Sequence, residues 1–140
     1  MIVHCNFEEL TALKAGADQV LEGYTPEQGL IAAPPEERER VAALMPRLDG
    51  DFSVTTLAEQ RSLLHAVSIV VEMLRVEMES MVATNHPAHE VAVSAYFDFA
   101  HAFSVQTRLY QAGLEMEALV ELVTGGPVTD KLARDFAFPD

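Results

Sequence analysis

TLAEQRSLLHAVSIVVEMLRVEMESMVA, residues 56–83, decides the fold. Thr56 followed three residues later by Glu59 is a capping box, and neither glycine nor proline interrupts the stretch it opens. Leu57, Leu64, Val67, Val71, Leu74, Met78 and Met81 recur at intervals of three, four and seven, and Leu63, Val70 and Val82 widen the stripe. The stretch therefore reads as one long helix, broken by Asn85, His86 and Pro87. A second helical pattern starts at Pro87 and runs to about Gln111, where Gly113 is expected to end it. A shorter helix is expected over about 114–123, stopped by Gly125, Gly126 and Pro127, with Thr129 capping a last turn or two. Two long helices separated by a few residues fold back on each other.

Toward the N-terminus the pattern changes. Met1 to Cys5 is short and rich in β-branched residues, which suits a strand. Asn6 followed by Glu9 makes an N-cap and a partial capping box, and Phe7, Leu10, Leu13, Ala17, Val20 and Leu21 carry a helix to about residue 22, before Gly23. Residues 24–35 hold Pro26, Gly29, Pro34 and Pro35 and read as a loop, in which Leu30 to Ala32 is the one piece able to pair with the strand. A short helix from about 35 to 45 stops before Pro46, and Asp49, Gly50 and Asp51 form a turn. The expected architecture is mainly α: a helical bundle built on a long antiparallel helix hairpin (about 56–83 and 87–111) with shorter helices and a short N-terminal strand. A chain of 140 residues with no repeat and no linker fits a single domain, 1–140.

Composition removes several classes of function. With 49% hydrophobic and 22% charged residues the chain lies far from the composition of disorder. Twenty-two acidic against nine basic residues give a formal net charge of −13, which repels phosphate backbones. The two arginines of Glu36-Glu37-Arg38-Glu39-Arg40 are interleaved with glutamates, so no basic patch offsets this. A nucleic-acid partner is not expected, and neither is a membrane, because no apolar run approaches the ~18 residues of a span. The lone Cys5 forms no intrachain disulfide, and the first residues lack a basic-then-apolar leader pattern. The expected compartment is the cytoplasm.

The stretch HPAHEVAVSAYFDFAH, residues 86–101, holds three of the five histidines. Asp98 and His101 are three apart and neighbours on a helix, and in a hairpin they lie near the level of Glu72. If the polar lines of the two helices faced each other, His65, Glu72, Asp98 and His101 would converge, and carboxylate with imidazole is a ligand set for zinc, iron or manganese. Carboxylate-bridged bundles use a Glu-x-x-His on each of two helices, whereas this chain has one Asp-x-x-His and a His86-x-x-His89 beside a proline. The expectation is therefore solvated or ion-paired polar lines, with no metal or other cofactor and no catalytic residue assigned. The leading expectation is not an enzyme; a small-ligand or metal-binding bundle using Glu72, Asp98 and His101, with an enzymatic role open to it, is the alternative. No Gly-Lys-Ser/Thr loop or Gly-x-Ser-x-Gly elbow is present. Met73, Met78 and Met81 read as core filler, and Cys5 as a buried small residue.

What remains is an excess of apolar surface. Both long helices are apolar over most of their circumference, with polar residues confined to narrow lines such as Arg61, His65, Ser68, Glu72, Arg75 and Glu79. A helix apolar on two sides is buried on two sides, and the short remaining segments offer little cover. A homo-oligomer is expected, most simply a two-fold dimer, with Phe97, Ile69, Met73, Val76, Val93 and Ala100 at the interface. The leading functional expectation is an acidic helical protein that acts through protein–protein interaction. Its acidic surface makes a basic protein a further expected partner, and an inhibitor or decoy of a basic nucleic-acid-binding protein is the third alternative.

Overall fold

The computed structural model describes residues 1–23, 33–83 and 89–139. In chain order they form β1 (Ile2–Val3), α1 (Phe7–Glu22), α2 (Pro35–Leu44) with a 3-10 turn over Met45–Arg47, β2 (Phe52–Ser53), α3 (Leu57–Ala83), α4 (His89–Thr124) and α5 (Asp130–Asp135).

Local chemistry starts these helices where the sequence says. Asn6 accepts the Glu9 amide at 2.8 Å while Glu9 returns a carboxylate oxygen to the Asn6 amide at 3.1 Å, and Gly23 ends α1 at a φ of 76°. Thr56 accepts the Glu59 amide at 3.1 Å, but the Glu59 carboxylate turns to the Thr55 amide (2.7 Å), the Thr55 hydroxyl and Arg47. Thr129 caps α5 by accepting the Leu132 amide.

Helices α3 and α4 form the antiparallel hairpin. The buried Gln60 side chain donates to the Leu109 carbonyl at 2.7 Å, Gln106 reaches Ser68 at 3.0 Å, and Glu77 shares a groove with Ala95 and Asp98. The expected break at Gly113 is absent. α4 continues through it to Thr124, and Gly113 lies where the Gln60 amide presses on the helix: a Cβ there would be 2.4 Å from Gln60 Nε2. The glycine makes room for a neighbour and does not end a helix.

The N-terminal strand pairs antiparallel with β2, Ile2 opposite Ser53 and Val3 opposite Phe52. Residues 30–32, the partner the sequence suggested, lie outside the described residues. One core cluster joins Leu10 and Leu13 of α1 to Leu63, Val67, Val105 and Leu109 of the hairpin. A smaller one packs Ala17 and Val20 against Val41, Ala66 and Ile69. The tail closes over the first cluster: Phe138 is buried, its amide donates to Thr55 O at 2.7 Å, and its ring lies 5.2 Å from that of Phe136. Past Ile69 no described residue of α3 is buried, so the far end of the hairpin extends beyond the cover that α1 and α2 provide.

Candidate functional site: the outward face of α4

The polar residues of the hairpin are drawn in different directions. His65 Nδ1 lies 2.7 Å from Glu37 Oε1 on α2. Glu72 pairs with Arg75, whose guanidinium also holds Glu79, and this hydrogen bonding keeps the Glu72 carboxyl below the usual carboxylate range. Asp98 and His101 line a groove of about 320 Å³ between the hairpin and Phe7, Thr11 and Ala12 of α1. The convergence of His65, Glu72, Asp98 and His101 admitted by the sequence is not formed. Among the described residues no three His, Cys, Asp or Glu side chains are placed to hold a metal ion. Residue 86 lies outside them.

Cys5 is half-buried beyond the end of β1 and does not belong to the strand. Burial pushes its thiol up to about 11, Glu9 adds to the rise, and Arg108 only partly opposes it. A thiol raised in this way carries less thiolate at neutral pH and is a poor nucleophile. Glu9 itself is buried, in ion-pair contact with Arg108, which also donates to His4 O and Ser104 Oγ at 2.8 Å each. This junction of β1, α1 and α4 was invisible to the sequence, because its members are a hundred residues apart.

Three arginines, Arg40, Arg61 and Arg134, share a groove of about 340 Å³ with Glu36, Glu37 and Asp130. Arg40 donates to Ser62 and Glu36, Arg61 to Glu117, and Arg134 lies 3.8 Å from Glu36. Their charge is met by carboxylates, so the groove ties α2, α3 and α5 together and offers no net positive charge to an anion.

The expected interface residues separate into three settings. Ile69 is 5% exposed and belongs to this chain's own core, against Ala17 and Val20, so it is not free for a partner. Met73 and Val76 lie on α3, in an apolar groove with Glu72 and Glu77. Val93, Phe97 and Ala100 lie on α4, on the side turned away from its buried residues Ala95, Ala102, Val105 and Leu109.

That side of α4 is longer than the sequence suggested. Val93, Tyr96, Phe97, Phe103, Tyr110 and Leu114 each keep more than half of their surface exposed. Ala100, Ser104, Thr107 and Gln111 fill the positions between them. Tyr96, Phe99, Ala100, Phe103, Ser104 and Thr107 shape a shallow groove of about 440 Å³, with Arg108 at its edge. The side chains of this stretch that carry charge are turned aside or tied down: Asp98 and His101 line the groove with α1, and Arg108 is held by Glu9 and His4. The sequence signal was available in the three-and-four spacing of Tyr96, Ala100, Phe103, Thr107, Tyr110 and Leu114. The expected end at Gly113 cut it short.

No family model matches the chain, and neither a curated protein nor a solved structure is significantly similar to it. Among the described residues no helix is long and apolar enough to cross a membrane.

Proposed function

We propose that the protein is a homo-oligomeric helical protein, most simply a two-fold dimer, that acts through protein–protein contacts. One observation carries the reading: the outward face of α4 from Val93 to Leu114 exposes mainly aromatic and aliphatic side chains, with the neutral Ser104, Thr107 and Gln111 between them and Arg108 only at its edge, in a chain of formal net charge −13. Contiguous exposed apolar surface of this kind marks an interaction site, and each aromatic withdrawn from water contributes to association. The thin cover at the far end of the hairpin supports the same reading. A cytoplasmic location belongs to this proposal, as does a basic protein as the dimer's outside partner, recruited by the surplus of carboxylates and released by salt.

The test is the mass in solution. Light scattering at micromolar concentration is expected to give about twice the 15.4 kDa chain mass. Phe97→Glu is expected to yield monomer or insoluble material, because a charge would be buried without a partner. Leu122→Glu, at an exposed position to one side of the face, is expected to leave the mass unchanged. A soluble wild-type monomer at high concentration overturns the proposal.

A further inference from the structure

The geometry points to one mode of pairing: two copies of α4 pack antiparallel across a two-fold axis at Phe103, each covering the other's face from Val93 to Leu114. This rests on the dimer reading above and specifies which surface pairs and in which register.

The spacing supplies the first argument. Val93, Tyr96, Ala100, Phe103, Thr107, Tyr110 and Leu114 alternate steps of three and four, the repeat with which two helices interlock side chains along a seam. The seam runs for about 32 Å at the ~1.5 Å rise of an α-helix. Phe103 stands at its middle. Antiparallel pairing about that residue sets Tyr96 opposite Tyr110 of the second copy and the small Ala100 opposite Thr107, leaving space at the centre for the Phe103 rings. Val93 then meets Leu114. A two-fold interface must be self-complementary in this way.

Charge fixes direction and register. Beyond Leu114 the same spacing reaches Glu117, which is paired with Arg61, and the exposed Glu121. A parallel pairing would lay Glu121 against its own copy. The antiparallel pairing centred on Phe103 buries the whole uncharged stretch of both copies and leaves these carboxylates beyond the contact. A shift by one heptad would move Tyr96 opposite Glu117 in one direction, or Tyr110 opposite residue 89 in the other, and so break the match of aromatic to aromatic.

The exposed area is sufficient. An aromatic side chain offers ~150–250 Å², so Tyr96, Phe97, Phe103 and Tyr110, each somewhat more than half exposed, bring on the order of 400 Å². That is about half of the ~800 Å² per partner of a standard interface, and Val93, Ala100, Thr107, Gln111 and Leu114 add to it.

Disulfide trapping reads the register directly. In a Cys5→Ser background, Ala100→Cys and Thr107→Cys are made on chains with distinguishable tags, expressed singly and together, and oxidised after light scattering and circular dichroism have established mass and helicity. In the proposed pairing Ala100 of one chain lies opposite Thr107 of the other, while like positions are offset by about 10 Å along the axis, beyond the reach of a disulfide. The co-expressed pair is expected to give at least roughly tenfold more cross-linked dimer between the two tags than either variant alone. Efficient trapping of Ala100→Cys with itself means parallel pairing and overturns the inference. A dimer by mass with no trapping in any combination overturns this surface and leaves the dimer reading standing. A monomer overturns both.

Discussion

At Gly16 the absence of a side chain is a structural requirement. A Cβ there would sit 2.1 Å from the carbonyl oxygen of Ala66, so α1 and α3 approach each other at a distance that no other residue allows. Gly16→Ala gains up to ~1 kcal/mol in helix propensity, but the clash is with backbone that cannot move aside, and overpacking of this kind costs about 1–3 kcal/mol or more. A thermal melt is expected to show a Tm several degrees lower, while Gly126→Ala, with open space around it, stays near the wild-type value. Cys5 gives a second expectation at this scale. A thiol whose pKa rises from 9.0 to about 11 carries about 100-fold less thiolate at neutral pH than an ordinary one. Alkylation at pH 7.4 is expected to be markedly slower than that of an exposed cysteine, by less than the loss of thiolate because a more basic thiolate is the better nucleophile, and to accelerate as pH rises toward 11. Rapid labelling at pH 7.4 contradicts the burial.

Between elements, the Glu9–Arg108 contact is the most consequential polar interaction. Glu9 is 3% exposed, and its carboxylate also closes the cap of α1, so it is not able to turn toward water. Arg108→Leu strands a buried charge and is expected to cost about 3 kcal/mol, read by chemical denaturation. Adding Glu9→Gln keeps an acceptor for the Asn6 amide while removing the charge, and the double variant is expected to recover most of the loss. If both variants are equally unstable, the arginine contributes packing and hydrogen bonds to His4 and Ser104, not charge compensation. The same scale explains α4. Its length was misread at Gly113 because a helix-ending glycine and a glycine that accommodates a neighbour look alike in a sequence, and Gln60, which tells them apart, is over fifty positions earlier.

For the whole molecule, the ends of the chain meet. The Met1 ammonium donates to Val54 O at 2.9 Å and Phe138 bonds to Thr55, so the first and last residues are laid on either side of the segment leading into α3. Removing residues 136–140 takes the buried Phe138 ring and the packed Phe136 away from the larger core cluster. The truncated protein is expected to melt several degrees lower, since deletion of a buried aromatic costs about 3–5 kcal/mol. An unchanged Tm means that the tail only rests on the surface.

The hairpin, the capped starts of α1 and α3, the capped final helix and the short N-terminal strand were legible in order and type, because each is written in residues three or four apart, although Glu59 does not close the second box and turns to Thr55 and Arg47. The partner of the strand was not: β2 is two residues long, and nothing within Phe52 and Ser53 distinguishes a strand from a loop. Nor was the fate of the polar residues. Periodicity places Glu72, Asp98 and His101 on helix faces, but the neighbour that receives each of them, Arg75 for Glu72 and α1 for Asp98 and His101, depends on how α1 packs across the hairpin. The sequence by itself determined which stretches are helical, though not that α4 runs unbroken through Gly113, and that the two long helices are rich in apolar residues. Only the tertiary structure decided which of those residues are turned inward, as at Ile69, and which stay outward, as along α4, because burial depends on contacts between segments far apart in the chain.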